Sequence, residues 1–177
     1  MNDGVRIEDL LFIDFEASSL GSGSFPIEIG IAWIENGVAK SEGSLIRPHP
    51  AWDELAWNMQ SQAVHGISRA DLKTAPEAED VARWIIGRAQ GRTLIADAPK
   101  HDRYWLGELV RTIGSTPAAI NSFEAAAGEF FSGLALDHVF ETLSRLKSPH
   151  RAEKDALRLA RAMLRGVEIS GRPEWGI

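Results

Sequence analysis

The sequence contains no cysteine among its 177 residues. This absence excludes a disulfide framework, a thiolate zinc site and a cysteine nucleophile, and it is consistent with a reducing compartment. Any metal site in this protein must therefore be built from carboxylates and histidines.

Long hydrophobic runs are absent as well. No apolar stretch approaches the roughly 20 residues that a helix needs to cross a bilayer. The first residues, MNDGVRIEDL, are polar and acidic, unlike a signal peptide. With 44% hydrophobic and 25% charged residues, the composition is typical of one globular domain. We therefore expect a single soluble, cytoplasmic domain over residues 1–177, with no membrane partner.

Positive charge is in short supply, because 19 Lys and Arg residues face 25 Asp and Glu residues, for a net charge of −6. This balance argues against a protein that holds long duplex nucleic acid by neutralising many phosphates. A small or single-stranded substrate end remains compatible with it. Bound divalent cations would also offset part of the negative charge locally.

The N-terminal part of the chain predicts three strands. Residues 11–15 and 27–34 are short apolar runs, rich in β-branched and aromatic side chains, that are typical of buried strands. The Asn-Gly pair at 36–37 is the strongest two-residue hairpin signal, and residues 38–47 would pair back antiparallel. The chain is therefore expected to open with an antiparallel three-stranded meander.

Alternating helices and strands follow the mixed segment 48–75. Pro76 begins a predicted helix with an apolar stripe, residues 93–96 form a short buried strand, and 99–113 form the next helix. Residues 118–121 are a candidate fifth strand. Two further helices are predicted at about 137–146 and 150–164. This order predicts an α/β fold with a mixed five-stranded sheet and helices on both faces.

Two carboxylates stand at the end of the first predicted strand. Asp14 and Glu16 are two residues apart, so their side chains project from one face while Phe15 points to the other. Converging carboxylates near a core lose hydration and repel each other, and a hard divalent cation bound through oxygen relieves both costs. Strand-end acids also commonly reach solvent, and a lone Asp-x-Glu pair does not decide between the two interpretations.

Later segments supply further candidates. Asp102 is expected in the first turn of a helix, where the helix dipole favours an acid in any case. In the last predicted helix, Ser148 can cap, Pro149 can take the first helical position, and His150 then falls in the first turn. Asp155 follows on the border between an apolar face and a basic arc. The basic arc comprises Arg151, Lys154, Arg158, Arg161 and Arg165. The alternative is a solvated basic face on which the acid forms salt bridges.

Together these segments resemble the DEDDh 3′→5′ exonucleases of the ribonuclease H-like superfamily, which include polymerase proofreading subunits, oligoribonuclease and RNase T. The three motifs occur in the family's order and read FIDFEASSL, IADAPKHDRYWL and HRAEKDAL. A fourth segment, AVHGIS at 63–68, resembles the His-Gly-Ile turn found between the first two motifs. The resemblance extends from residue 11 to about residue 165.

The resemblance implies a ribonuclease H-like fold and a metal-dependent 3′→5′ exonuclease that releases nucleoside 5′-monophosphates from single-stranded nucleic acid or short oligonucleotides. It implies Asp14, Glu16, Asp102 and Asp155 as ligands of two Mg²⁺ or Mn²⁺ ions. It assigns His150 as general base, a role that suits a side chain largely unprotonated at neutral pH. The implied partner is the 3′ end of RNA or DNA, with single strands favoured, and a homodimer is compatible with the family.

The resemblance implies that the end of the first motif contacts the substrate, whereas His65 is a stacking candidate and two arginines of the basic arc would guide the backbone of an incoming strand. These candidates are Phe15, Ala17, Ser18, His65, Arg158 and Arg161. The chain departs from the family pattern at 17–20, where Ala-Ser-Ser-Leu replaces a Thr-Thr-Gly-like tail, and at 97–98, where Asp-Ala replaces the common His-Asn. Substrate choice is therefore left open. Trp52 and Trp57 are further stacking candidates, although aromatic residues are more often core, and Asp97 either supports the site or, more commonly for such a residue, caps the following helix.

Two other functions are compatible with the sequence. One is a catalytically weak nucleic-acid-binding or polymerase-accessory module that keeps the fold, although retention of all four acids and the histidine weighs against it. The other is a phosphodiesterase acting on a small nucleotide, which the acidic composition permits. The sequence leaves RNA versus DNA, substrate length and pathway open.

Overall fold

The computed structural model describes residues 5–171, and at its centre lies a five-stranded sheet in the order β3-β2-β1-β4-β5. The strands are β1 (Leu10–Ala17), β2 (Pro26–Glu35), β3 (Val38–Leu45), β4 (Thr93–Ala96) and β5 (Ile120–Ser122). The first three strands pair antiparallel, whereas β4 runs parallel to β1 and β5 runs parallel to β4. The predicted mixed sheet with an opening meander is thus confirmed.

Helices cover both faces of this sheet. They are α1 (Met59–His65), α2 (Arg69–Leu72), α3 (Ala78–Ala89), α4 (Pro99–Arg111), α5 (Phe123–Phe130), α6 (Gly133–Arg145) and α7 (Ala152–Ser170). Alternation along β1 divides the core, because Phe12 packs with α5, α6 and α7 while Ile13 packs with α3 and α4. Within residues 5–171, no helix combines the length and apolarity needed to cross a membrane.

Pairing between β1 and β2 sets the position of the site. In this register Asp14 lies opposite Gly30, and Glu16 lies opposite Glu28. A Cβ added at Gly30 would come within 2.0 Å of the backbone of Ala152, the first residue of α7. The start of α7 therefore packs directly on β2, next to the strand that carries Asp14 and Glu16.

Several predicted boundaries move because of tertiary contacts. The first strand extends to Ala17, since Glu16 and Ala17 still pair with β2. The third strand stops at Leu45, because the Arg47 amide leaves the sheet and donates to the Pro76 carbonyl. That contact keeps Pro76 outside α3, which begins at Ala78 instead.

Three helices were not predicted. Helices α1 and α2 lie in the mixed segment 48–75, and α5 follows β5 directly. Each begins with a capping side chain, since Asn58 accepts from the amides of the first turn of α1 and Ser122 caps α5. Ser68 and Asp71 form a reciprocal capping box at α2. The cap signals were present, but helices this short carry too little periodicity to be recognised.

Candidate active site

One cavity gathers all five residues of the predicted catalytic set. Its walls come from the end of β1, from α1, from the start of α4, and from α7 with the loop before it. The predicted residues on its wall are Asp14, Glu16, Asp102, His150 and Asp155. Residues separated by up to about 140 positions in the sequence are thus brought to one place by the sheet and the helices on its two faces.

Three carboxylates form the centre of this cavity. One oxygen each from Asp14, Glu16 and Asp155 lies within 4.8 Å of the other two. The orientation of Asp155 is fixed, because its Oδ2 accepts from the Arg151 backbone amide at 3.0 Å and its Oδ1 accepts from Arg158 Nη1 at 3.3 Å. A cluster of oxygens at this separation fits a hard divalent cation.

Asp102 completes the acidic set from α4. It is only 1% exposed, and its Oδ2 finds no hydrogen-bond partner among residues 5–171. Burial, followed by repulsion from Asp97, raises the pKa of Asp102 to about 8. A buried carboxylate oxygen without a partner is costly unless a proton or a cation accompanies it. The donor chemistry at Asp102 therefore also fits a divalent ion.

Protonation is favoured at Asp14 and Glu16, as it is at Asp102, when no cation is bound. Burial, and then repulsion from Asp102 and Asp97, raises the pKa of Asp14 well above its usual range. Burial, and then repulsion from Glu28, raises the pKa of Glu16 to about 7. Protons and divalent cations would therefore compete for the same oxygens near neutral pH.

His150 reaches the cavity from a loop and not from a helix. The predicted helix start at residue 150 is wrong, since α7 begins at Ala152 with Arg151 as its N-cap residue. Ser148 does not cap the helix; its hydroxyl instead accepts from the His150 amide at 3.4 Å. His150 has φ +54°, in the left-handed region, which costs a non-glycine residue on the order of 1 kcal/mol.

Asp97 is the second correction at the site. The predicted role as helix cap is wrong, because the N-cap residue of α4 is Ala98 and the described part of the chain provides it with no side-chain cap. Asp97 instead lies on the cavity wall, where its Oδ2 is 3.8 Å from Arg158 Nη2. The cavity therefore contains a fifth carboxylate that raises the pKa of both Asp14 and Asp102.

Comparison with protein families agrees with this geometry. A family model described as exonuclease, RNase T, matches residues 11–163, most of the chain. The chain belongs to the RNase T exonuclease family. The DEDDh resemblance predicted from the motifs is thereby confirmed. A search of curated protein sequences finds no match to the chain.

Solved structures of exonucleases share the fold of this RNase T family member. A full-length 3′-exonuclease superposes with a TM-score of 0.67 at 15% identity, over 91% of this chain and 60% of that one. The nuclease domain of 3′hExo, a DEDDh family member bound to rAMP, superposes with a TM-score of 0.65 at 15% identity, over 90% of this chain and 92% of that one. Exonuclease X in complex with 5′-overhanging duplex DNA superposes with a TM-score of 0.58 at 21% identity, over 92% of this chain and 93% of that one. The chain thus spans less than two thirds of the full-length 3′-exonuclease.

The predicted substrate-binding residues divide into two groups. Those that line the cavity of this RNase T family member are Phe15, Ala17, His65 and Arg158. Ser18 is fully buried and, within the described chain, is not part of the lining; its hydroxyl accepts from the Phe25 amide at 3.0 Å. Arg161 is exposed on α7, outside the cavity residues that the structure describes. Ser18 therefore shapes the loop after β1 and does not face the cavity.

The predicted basic arc of α7 is largely engaged in ion pairs. Arg158 is 14% exposed at its side chain and contacts both Asp155 and Asp97. Arg151 pairs with Glu28, and Arg165 pairs with Glu168. The alternative interpretation, a helix face whose cations form salt bridges with acids, thus describes much of this surface.

Aromatic stacking candidates differ from those predicted. Trp52 stacks on Phe25 at 5.5 Å between ring centroids, and Trp57 packs edge-on against His65 at 6.3 Å. Of the tryptophans that the structure describes, Trp105 lines the cavity whereas those two do not. Its helical spacing from Asp102 on α4 is a signal that could have identified it.

His65 contributes a buried polar group to the cavity wall. Its Nδ1 accepts from the Ile67 amide at 3.0 Å, so the ring proton of the neutral side chain resides on Nε2. Desolvation lowers the pKa of His65, which favours this neutral form. Within the described residues, Nε2 finds no partner. Because Nε2 is also shielded from solvent, its proton is a buried donor beside the cavity and does not face the open space.

The raised pKa values give the site a testable pH dependence. Because the folded carboxylates of Glu16 and Asp102 titrate near pH 7 and 8, above their unfolded values, their stabilising contribution is present at low pH and is lost as pH rises through that range. We expect EDTA-treated protein to melt at a higher temperature at about pH 6 than at about pH 9. Thermal melts across this range measure the effect.

Added Mg²⁺ or Mn²⁺ should reverse this trend. A cation at about 100 times its dissociation constant stabilises by about 2.7 kcal/mol, which is roughly 5–10 °C for a domain of this size. The increase in melting temperature caused by the cation should be larger at about pH 9 than at about pH 6, because at the lower pH protons compete with the cation for the carboxylates. Equal increases at both pH values, or no increase at either, would contradict the assignment of these carboxylates as metal ligands.

Proposed function

We propose that the protein is a metal-dependent 3′→5′ exonuclease that hydrolyses single-stranded nucleic acid or short oligonucleotides and releases nucleoside 5′-monophosphates. The observation that carries the proposal is the convergence of Asp14, Glu16 and Asp155 within 4.8 Å, beside the partnerless oxygen of Asp102. Membership of the RNase T exonuclease family supports the same chemistry. Two of the similar structures contain rAMP and duplex DNA, which makes nucleic acid the natural substrate class to test.

Asp14, Glu16, Asp102 and Asp155 would hold the proposed pair of Mg²⁺ or Mn²⁺ ions, since all four provide hard oxygen ligands on one cavity wall. Bound there, the ions would supply Lewis-acid polarisation of the phosphodiester and neutralise charge that develops during hydrolysis.

The remaining steps use side chains of this chain. His150, on the same wall, accepts the proton of the attacking water as general base. His65 supports the cavity wall, where its Nδ1 accepts from the Ile67 amide. Arg158 holds Asp155 and Asp97 in place and balances part of their charge. The attack forms a bond between the water oxygen and phosphorus, breaks the P–O3′ bond and so transfers the terminal nucleotidyl group to water. The departing 3′-oxygen takes up a proton from solvent, which leaves a 3′-hydroxyl on the shortened strand.

The scarcity of free positive charge favours a short contact with nucleic acid. The net charge is −6, and the arginines nearest the cavity already pair with carboxylates. Such a surface neutralises few backbone phosphates, so long duplex binding is disfavoured. The same observation favours the second candidate, a phosphodiesterase that acts on a dinucleotide or another small nucleotide.

Digestion of 5′-labelled substrates distinguishes these functions. Single-stranded RNA, single-stranded DNA and a dinucleotide are incubated with Mg²⁺ or Mn²⁺, and each reaction has an EDTA control. A ladder that shortens from the 3′ end supports the exonuclease. Cleavage of the dinucleotide alone supports the small-nucleotide phosphodiesterase, and binding without cleavage under either metal supports an accessory module.

A further inference from the structure

A buried carboxylate outside the acidic cluster contacts the start of α7. Glu28 on β2 has a side chain only 7% exposed. Its Oε1 accepts from Arg151 Nη2 at 2.7 Å, and both of its oxygens accept from Arg151 Nε at 3.1 Å. Its Oε2 also accepts from the Ala152 backbone amide at 3.0 Å. Glu28 therefore binds two consecutive residues at the N-terminus of α7.

Glu28 takes the place of an N-terminal cap for α7, because it accepts from a backbone amide of the first turn. The N-cap residue Arg151 makes no side-chain cap hydrogen bond in the described structure, so the first amides of α7 depend on other acceptors. A carboxylate at a helix N-terminus also interacts favourably with the helix dipole. Two residues along β2, Gly30 lets the backbone of Ala152 approach more closely than any side chain would permit. The helix start is thus held against β2 from two positions.

Arg151 connects this contact to the site. Its backbone amide donates to Asp155 Oδ2 at 3.0 Å, and the residue before it is His150 with φ +54°. An unfavourable backbone conformation persists only where the surroundings hold it. On the other side of His150, its own amide makes a long contact of 3.4 Å to Ser148. The charged contact between Glu28 and Arg151 is the stronger of these two restraints.

We propose that Glu28 is a positioning residue for His150, and that it acts through Arg151 to keep the loop before α7 in the conformation that places the histidine at the cavity. The catalytic consequence rests on the proposed function, whereas the structural claim does not. Glu28 touches none of the reacting atoms; it determines where the general base stands.

The variant Glu28→Gln tests the proposal while keeping the size of the side chain and an oxygen acceptor for the Ala152 amide. It weakens the contact to Arg151, because the acceptor loses its charge. We expect kcat to fall by about 10- to 100-fold, as for other residues that orient a catalytic group. KM should change by less than about threefold, since substrate contacts are retained.

A matched control comes from the same helical turn. Glu153 Oε1 accepts from the Ser41 hydroxyl at 2.8 Å and so also ties the first turn of α7 to the sheet, on β3. Glu153→Gln removes charge there without touching His150 or Arg151. Its kcat should stay within about twofold of wild type. An equal loss in Glu153→Gln would show that Glu28 merely stabilises the helix, and would overturn the proposal.

A second readout does not depend on catalysis. In EDTA-treated protein, the NMR order parameter of the His150 amide should fall from about 0.85 in wild type to below about 0.6 in Glu28→Gln, and should be unchanged in Glu153→Gln. Arg151→Ala should lower the order parameter of the His150 amide in the same way. Because the Arg151 side chain is 44% exposed, this variant replaces Glu28→Gln as the test if Glu28→Gln does not fold. An unchanged order parameter in the folded variants would overturn the proposal.

The double variant with His150→Ala separates positioning from an independent effect. If Glu28 acts through His150, Glu28→Gln should lower the residual rate of His150→Ala by less than about twofold. A further loss as large as that in wild type would contradict the proposal. Wild type without nuclease activity would refute the proposed function, and the order parameters would still decide whether Glu28 positions His150.

Discussion

The substitution Asp14→Asn is expected to lower the exonuclease kcat by at least about 10³-fold, because Lewis-acid stabilisation is worth several kcal/mol and each 1.36 kcal/mol is tenfold in rate. Asparagine keeps the shape of the side chain but removes a charged oxygen from the cluster within 4.8 Å. Single-turnover cleavage of a labelled oligonucleotide at saturating Mg²⁺ measures the loss.

The same substitution should leave the fold intact and stabilise the protein when metal is removed. Asp14 is buried among like charges that raise its pKa, so a neutral side chain relieves repulsion above neutral pH. We expect the melting temperature of EDTA-treated Asp14→Asn at about pH 9 to rise by roughly 2–4 °C, equivalent to about 1 kcal/mol. Lost activity together with higher stability would identify a site built for a cation.

Asp97→Asn is the matched control for Asp14→Asn. Asp97 is a carboxylate on the same cavity wall, but its oxygen is not part of the close cluster and faces Arg158. We expect it to retain activity within about tenfold, a change of about 1.4 kcal/mol. If Asp97→Asn lost as much activity as Asp14→Asn, or if Asp14→Asn kept more than a tenth of the wild-type rate, the ligand assignment would be wrong.

The second large effect is expected for His150→Ala. Loss of a general base typically costs about 10²- to 10⁴-fold in rate. Metal binding should survive, because the carboxylates of Asp14, Glu16 and Asp155 are unchanged, and Mn²⁺ titration calorimetry should give a dissociation constant within about threefold of wild type. The kcat and the Mn²⁺ affinity together separate a proton acceptor from a ligand.

His101→Ala provides the control for that experiment. His101 also lines the cavity and packs 5.7 Å from the ring of Trp105, but it has no role in the proposed proton transfer. Its kcat should stay within about twofold of wild type, as is usual for substitutions away from the chemistry. A loss equal to that of His150→Ala would mean that disturbance of the cavity wall, and not proton transfer, explains both results.

The sheet and the acidic set could be predicted because their signals are local. Residues 93–96 were predicted with the observed bounds, and the Asn-Gly pair at 36–37 located the hairpin between β2 and β3. The separation of Asp14 and Glu16 by two residues placed both on one face of β1 without knowledge of the fold. The motif order then indicated which distant acids join them.

The start of α7 could not be predicted, because distant residues determine it. Ser148 and Pro149 form a good local cap signal for a helix from residue 150. The structure instead begins the helix at Ala152, whose amide binds Glu28, 124 positions away. No short segment of the sequence contains both residues of that pair. The left-handed backbone conformation of His150, which precedes this helix start, could therefore not be predicted either.

The contact between Asp97 and Arg158 could not be predicted for the same reason. Each has a plausible local role, as a helix cap and as part of a solvated basic face. Their contact across 61 positions depends on how α7 packs beside the end of β4. Ion pairing between such residues emerges only from the folded chain, and it reduces the surface available to nucleic acid.

Release of a terminal label tests the central claim most directly. A single-stranded oligonucleotide labelled in its 3′-terminal nucleotide is incubated with protein and Mg²⁺ or Mn²⁺, and the first labelled product is identified by chromatography beside a 5′-labelled strand of the same sequence. The account predicts that the 3′ label appears at once as a nucleoside 5′-monophosphate, while the 5′-labelled strand shortens step by step, and that EDTA or Asp14→Asn abolishes both. A 3′ label that first appears in longer fragments, a 5′ label that is released first, or no cleavage with either metal would contradict it.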